Sequence, residues 1–427
     1  VNEAAAPIVS GDVPAGAPVT GGAGRLGHAA LDLWALEPGT LHLNHGAFGG
    51  TPRAVLAEQA TWQARMEANP SRFFMSELPG HLRTAAAELA GFVGTAPERL
   101  AFVENTTSGI NAVIRSLDLT TGDEILTTDH VYGAVRNSLR HIADRTGARI
   151  VEAPVAMPVS DGAAIVAALA AHLTSRTRLV VVDHVASASA VIAPVAAVVA
   201  LCHGRGLPVL VDGAHAPGLV DLDIDAIGAD WYVGNCHKWL CAPKGAAFLA
   251  VSRTSSTSVH PLAISHAYGQ GFTAEFDKVG TRDASAWLSV PAAIRFHRAL
   301  GGQALRQRNR ALAHGAAIAI ADALQSPLGA DPALFAAMAT IRLPGEHPAT
   351  RGEFSRIHDA IFAAAGAEIA ITAVAGRLYL RICAHAYNEI TDYAGIAAAT
   401  LKAVAPNTAE GASGAAEGAP GAAEVLA

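Results

Sequence analysis

Val211-Asp212-Gly213-Ala214-His215-Ala216-Pro217-Gly218, followed by Gly234-Asn235-Cys236-His237-Lys238-Trp239, is the stretch from which the rest of the chain can be read. The apolar run Pro208-Val209-Leu210-Val211 has the β-branched character of a buried strand, and a carboxylate, Asp212, stands at its end. Lys238 is one of only four lysines in 427 residues, and its neighbours are apolar or aromatic rather than charged. A buried amine behind a strand that ends in a carboxylate is what pyridoxal phosphate requires. The amine forms a Schiff base with the cofactor aldehyde, and the carboxylate keeps the pyridine nitrogen protonated so that the ring can take up electrons. The stretch therefore implies a pyridoxal-phosphate enzyme.

Outward from it, short apolar runs alternate with longer helical patterns. Leu100-Ala101-Phe102-Val103, Glu124-Ile125-Leu126-Thr127, Ala148-Arg149-Ile150-Val151, Leu179-Val180-Val181-Val182, Pro208 to Val211, Trp231-Tyr232-Val233 and Gly245 to Leu249 read as seven strands. Helices such as Thr107 to Leu117, Gly133 to Thr146 and Val195 to Gly204 occupy the intervals. This rhythm predicts an α/β fold with a mostly parallel seven-stranded sheet, helices on both faces, and a ligand beyond the carboxyl ends of the strands. Around Trp287 the pattern changes to long helices, Ala284 to Leu300 and Gln303 to Leu324. A smaller C-terminal α+β domain follows, with strands near Ala339 to Leu343 and Arg377 to Arg381 and helices near Arg351 to Ala365 and Thr391 to Val404. The expected division is a large cofactor-binding domain over 29–300, with an N-terminal arm over 29–75 that folds back toward the site, and a small domain over 301–405. The Ala/Gly-rich ends, 1–28 and 406–427, read as unstructured tails.

Composition narrows the function classes. The chain is 51% apolar and 16% charged, enough to bury a large core. A net charge of -7 and the lack of a Lys/Arg-rich run offer no field for a phosphate backbone, so nucleic acid is not an expected partner. Cys202, Cys236, Cys241 and Cys383 show neither CxxC pairing nor zinc-ligand spacing, so no metal is expected, and free thiols suit a reducing cytoplasm. Asp183, His184 and Pro194 interrupt the most apolar long stretch, Leu179 to Cys202, so no membrane span is expected. No basic-then-apolar opening marks a signal peptide, although the first residue is Val1 and a removed leader stays open.

Glu104-Asn105-Thr106-Thr107-Ser108-Gly109 lies between a strand and a helix, where amides and hydroxyls face an anion. Taken alone it is equally an ordinary capping turn. Asp212 alone could be a strand-end cap, His215 a satisfied surface histidine, and His237 a packing residue. Asp-x-x-His followed by His-Lys-Trp is far more specific than any one of them.

These residues carry a family resemblance. Val211 to Gly218 with Gly234 to Trp239, Leu43-Asn44-His45-Gly46-Ala47-Phe48-Gly49, Asp129-His130-Val131-Tyr132, Gly280-Thr281-Arg282-Asp283 and Leu380-Arg381-Ile382 resemble, in order, the class V aminotransferase group of fold-type I pyridoxal-phosphate enzymes. Within it the chain is most similar to the isopenicillin N epimerase branch, which also contains cysteine desulfurases, lyases and cyclases. The resemblance implies Lys238 bonded to the cofactor, Asp212 under the ring nitrogen and His215 near the phenolic oxygen. It implies Thr107, Ser108 and His237 on the phosphate, with Thr281 reaching it from a second subunit, hence a homodimer with shared active sites. Arg381 would hold the substrate α-carboxylate as a bidentate fork, with Asn44 of the arm at the substrate. Asn235 stands where many relatives have a phosphate-contacting serine, and the stretch from His184 to Ser187 stands where desulfurases carry an asparagine beside the ring oxygen.

An amino acid joined to the cofactor has an acidified Cα–H, and the protein decides the outcome by where protons return. Epimerisation needs a base on one face and an acid on the other, or one group serving both: Lys238 would serve one face, and His130 or Tyr132 is the candidate for the other, with passive stacking on the ring as the alternative role for one of them. Desulfuration would need a cysteine on a loop shortly before Arg381, and none lies between Gly345 and Leu380. Arg72, in the irregular stretch Asn69-Pro70-Ser71-Arg72-Phe73-Phe74, is a candidate reader of a second substrate carboxylate, against a surface ion pair. The expected function is an epimerase or racemase of an amino acid or amino-acid-terminated substrate. The alternatives are elimination or amino transfer at the same site and, more remotely, a non-catalytic α/β protein binding another phosphate ligand.

Overall fold

The computed structural model describes residues 24–255 and 258–405. The seven strands read from the sequence form a single sheet: β1 Leu100–Val103, β2 Glu124–Thr128, β3 Arg149–Ala153, β4 Thr177–Asp183, β5 Val209–Asp212, β6 Trp231–Asn235 and β7 Ala247–Val251. Their spatial order is β1-β7-β6-β5-β4-β2-β3. β7 runs antiparallel to both of its neighbours, and the other pairs are parallel.

Side chains alternate along each strand, so the sheet feeds two apolar layers. Leu179, Val181, Leu210, Trp231 and Val233 enter one, while Val180, Val182, Val209, Val211 and Tyr232 enter the other. Both faces are covered, which is why these strands read as continuous apolar runs. β4, β5 and β6 run in register, with Asp183 beside Asp212 and Asp212 beside Val233. Their carboxyl ends, and the loops that leave them, therefore emerge together at one edge of the sheet.

A second, antiparallel sheet has β8 Met338–Arg342 and β9 Ala370–Val374 on either side of β10 Arg377–Cys383. β9 was not foreseen from the sequence. Its signal is the tight turn Ala375-Gly376, where both residues take positive φ, 49° and 73°. The helix Gln303–Leu324 has its expected bounds, but the helix expected over Ala284 to Leu300 is two, Ser285–Leu288 and Val290–Ala299. Pro291 has no N–H to continue the first turn into the second. Asn69 to Phe74 is not irregular: Asn69 caps a helical turn at Pro70–Arg72 that runs into a π turn at Phe73–Glu77.

Leu41–His42 pairs in parallel with Ala367–Glu368, and Leu43 O accepts the Cys383 N–H at 2.7 Å. Gly27 N–H donates to Ala386 O, and Gly27–Leu33 is a 3-10 helix. The remainder of the expected tails, 1–23 and 406–427, lies outside the described residues. Among the described residues no helix is long and apolar enough to cross a membrane. All four cysteines are free and buried.

The helix Thr106–Arg115 rests directly on the sheet because residue 109 is glycine. A Cβ there would lie 2.5 Å from Val233 Cγ1. Gly109→Val is expected to cost about 1–3 kcal/mol through overpacking and to tilt the helix start that faces the site. A lowered melting temperature together with weakened pyridoxal-phosphate binding in a spectral titration would verify this.

Candidate active site

Lys238 leaves the turn after β6 and is half-buried. Its Nζ lies 3.1 Å from His215 Nε2, and the Trp239 indole N–H donates to His215 Nδ1 at 3.2 Å. An indole nitrogen only donates, so Nδ1 must be the acceptor, and the neutral ring carries its proton on Nε2. That proton points at Lys238 Nζ, which can accept it only once the amine has lost its own proton. Burial pushes Lys238 down to about 8, and burial with the neighbouring Lys238 charge holds His215 well below the usual imidazole range.

Asp212 ends β5. Burial raises its carboxyl, while a 2.9 Å hydrogen bond from the Ala214 N–H and the Lys238 charge pull the other way. Asp183 lies beside it on β4, pushed well above the carboxylate range by burial and by Asp212. Its carboxylate accepts the Tyr132 N–H, and its Oδ2 has no partner. Two carboxyls buried side by side favour one negative charge between them over two. Asp183 was noted in the sequence only as an interruption of an apolar run.

The helix Thr106–Arg115 begins where the Asn105 side chain accepts the Ser108 N–H at 2.8 Å. Asn235, at the end of β6, accepts the Thr106 N–H at 3.1 Å and reaches Thr106 Oγ1 at 3.4 Å, tying the central sheet to the helix start. Half-buried Thr107 and Ser108 sit on this first turn. His237 donates from Nδ1 to Ala246 O at 3.1 Å, leaving Nε2 for a ligand. Burial holds it down to about 4, and a nearby phosphate would raise it. Thr281 is exposed and lines a groove of about 400 Å³ together with Glu104, Ser108 and Arg282. Arg282 pairs with Glu104 and lies 4.2 Å above the Trp287 ring.

Arg381, in the central strand of the second sheet, is fully buried. It donates to Ser187 O at 2.7 Å, Ser187 Oγ at 3.0 Å and Asn44 Oδ1 at 2.9 Å, all neutral, and its Nε has no partner. Burial lowers its guanidinium from the ordinary range, and a carboxylate would supply the missing counter-charge. His130 bonds Ser189 Oγ through Nδ1 at 3.0 Å, while its buried Nε2 lies 3.9 Å from Asp129 Oδ1. Burial lowers His130 and keeps it neutral at pH 7. Burial and the Asp212 charge raise the Tyr132 phenol, which Arg381 partly offsets.

These features fit pyridoxal phosphate carrying an amino acid: an amine of lowered basicity, a buried carboxyl at the next strand end, a helix start flanked by hydroxyls, and a buried guanidinium with only neutral partners. His184 bonds Tyr232 Oη at 2.7 Å beneath the site, and Ser187 holds Arg381. Arg72 is not brought to this cluster: its side chain is 65% exposed, with Nε 2.8 Å from Glu77 Oε1. His45 and Ser189 were not singled out, although His45 lies inside the quoted motif from Leu43 to Gly49.

The aminotransferase class-V family pattern matches residues 43–393. The chain is 35% identical over 336 residues to isopenicillin N epimerase of Amycolatopsis lactamdurans, covering 74% of this chain and 84% of that protein. It is also 35% identical over 328 residues to putative L-cysteine desulfhydrase 1 of Oryza sativa subsp. japonica, covering 72% of this chain and 68% of that protein. Among solved structures, the cystine C-S lyase C-DES in complex with cysteine persulfide superposes with a TM-score of 0.70 at 22% identity, over 84% of this chain and 97% of that one. That likeness speaks for the fold alone.

The depressed Lys238 amine sets a pH dependence. Uptake of pyridoxal phosphate by the cofactor-free protein is expected to accelerate as pH rises through about 8, where the amine loses its proton, and to level off above it. An ordinary lysine would keep gaining rate toward its unperturbed value near 10.4. Growth of the visible absorbance band, followed from pH 6 to 10.5, distinguishes the two.

Proposed function

We propose that this chain, which belongs to the aminotransferase class-V family, removes the Cα proton of an amino acid or amino-acid-terminated substrate and returns it to the opposite face, as an epimerase or racemase. It is a pyridoxal-phosphate-dependent enzyme with a fold-type I architecture. The observation that carries the finer reading is that His130 and Tyr132 come from a loop other than the lysine turn, so that a second proton-transfer group stands beside Lys238, whose amine becomes a free base above about 8.

Arg381 would take the substrate α-carboxylate, which competes with Asn44 and Ser187 for its donors and relieves a buried unpaired charge. When bound, pyridoxal phosphate supplies the delocalisation that makes the Cα–H acidic. Asp212 would hold the proton on the ring nitrogen, and Thr107, Ser108 and His237 would receive the phosphate. Lys238 would take the Cα proton on one face. His130 and Tyr132 come from a different loop, after β2, which suits the other face. A neutral imidazole and a phenol held protonated make a matched acceptor and donor. Thr281 would complete the phosphate site of a partner subunit. The exposed apolar side chains Leu262, Ile264 and Tyr268, close in sequence to Thr281, support such a homodimer. Buried free thiols support a reducing, cytoplasmic setting.

The likeness to L-cysteine desulfhydrases favours a second reading, elimination at the same site. Persulfide transfer to a protein thiol is not supported. Cys383, two residues beyond Arg381, is fully buried, burial raises its thiol, and its Sγ accepts the Gly46 N–H at 3.4 Å. Elimination without a protein thiol uses the same first proton transfer.

An amino-acid panel in deuterium oxide, followed by NMR and chiral chromatography, separates the readings. Deuterium at Cα with inversion is expected. Pyruvate and sulfide released from cysteine, without inversion of any substrate, would replace epimerisation by elimination. Arg381→Ala should raise KM for α-carboxylate substrates by about a hundredfold, in line with the loss of a charge-assisted bidentate contact. A comparable KM in that variant would remove Arg381 from substrate binding.

A further inference from the structure

Behind Lys238 lies a group of side chains for which the proton transfers above have no use. His45, Cys241 and His385 are buried, with Cys241 Sγ 3.7 Å from His45 Nε2 and 3.6 Å from His385 Nε2. The set is compact enough to suggest a metal centre. Its geometry argues otherwise. The two imidazoles stack with centroids 3.8 Å apart and planes 15° apart, so their Nε2 lone pairs run side by side instead of converging on one ion. His45 Nε2 is also engaged, 3.1 Å from the Lys238 carbonyl oxygen. Burial raises the Cys241 thiol to about 12, which leaves it unreactive.

The proton positions of His45 follow from its partners. A carbonyl only accepts, so Nε2 carries the proton and donates to Lys238 O, and Nδ1 accepts from the Tyr387 hydroxyl at 2.9 Å. Burial pushes His45 down to about 3, so the ring is neutral throughout the working pH range. Lys238 O also accepts the Cys241 N–H at 3.1 Å, closing a tight turn in which Cys241 takes φ +61°. That left-handed conformation is costly for a residue with a Cβ and persists where surroundings hold it. The His45 N–H and the two imidazoles against Sγ are those surroundings.

The loop bearing His45 touches both halves of the site. Asn44 accepts from Arg381, and Gly49 sits so close to the lysine turn that a Cβ would lie 2.1 Å from His237 O and 2.8 Å from Lys238 O. We infer that His45 is a positioning residue: by donating to the carbonyl of Lys238 it fixes the turn that aims the lysine amine at His215, from the same loop that holds the carboxylate-binding Arg381. This rests on Lys238 being the cofactor lysine, but not on which reaction follows.

The test therefore uses no amino acid. Wild type, His45→Phe, His45→Gln and Tyr387→Phe are freed of cofactor, and pyridoxal-phosphate uptake is followed by the visible band, with a pH titration of that band in the reloaded proteins. His45→Phe removes the donor while keeping an aromatic ring. It should take up cofactor about tenfold more slowly, the scale of one lost hydrogen bond, and shift the titration midpoint. His45→Gln, which restores an N–H near the Nε2 position, should return both to within about twofold of wild type. Tyr387→Phe, which only frees the ring tautomer, should shift the midpoint in the same direction by less, and serves if His45→Phe does not fold. A merely structural role would lower the melting temperature of His45→Phe and leave rate and midpoint unchanged. That result, or His45→Gln behaving like His45→Phe, would overturn the inference. A wild type that never acquires the band would instead overturn the cofactor assignment beneath it.

Discussion

The indole N–H of Trp239 can only donate, and from that constraint the state of the site follows. It makes His215 Nδ1 an acceptor, places the ring proton on Nε2, and lets Lys238 accept that proton only as a free amine, a form that burial brings down to about pH 8. A lysine buried without this arrangement would either keep its proton at the cost of desolvation or turn toward a carboxylate. Here Asp212 is near enough to be felt electrostatically, yet the hydrogen bond of Lys238 goes to His215. The amine is thus available for covalent bonding, and the carboxyl remains for a different cation.

The sheet makes these choices possible. β4, β5 and β6 end in register, so Asp183, Asp212 and Asn235 arrive at one edge with separate tasks. Asp183 secures the loop carrying His130 and Tyr132, Asp212 faces the buried amine, and Asn235 seats the helix start. Facing them, the second sheet supplies Arg381, whose neutral partners leave a charge unmatched. A buried guanidinium of this kind is costly in the free protein, and the penalty is relieved by an anionic ligand, so selectivity for a carboxylate is built into the cost.

Much of this was legible in the chain. Short apolar runs between helical patterns mark the strands, and all seven strands of the central sheet could be read that way. Helices with clear amphipathic period, such as Gln303–Leu324, were legible to their ends. β9 was missed because Ala370–Val374 is short and rich in alanine, so its main signal lies in the turn that follows. The broken helix near Val290 escaped because an apolar period continues across Pro291 while the backbone hydrogen bonds do not. Asn235 and Ser187 lie at the site, but their hydrogen bonds go to Thr106 and to Arg381, which spacing alone does not reveal.

The sequence by itself determined the fold class and the cofactor and pointed to an amine–carboxylate pair, because each depends on local pattern: an apolar strand, a terminal acid, and a lysine in a lysine-poor chain. Only the tertiary structure decided how those residues are protonated and braced. Trp239 meeting His215, Asp183 lying beside Asp212, and His45 reaching the Lys238 carbonyl across 193 positions of chain are contacts between segments. Their chemistry is set by which donor faces which acceptor out of reach of water, and that is a property of the packed molecule.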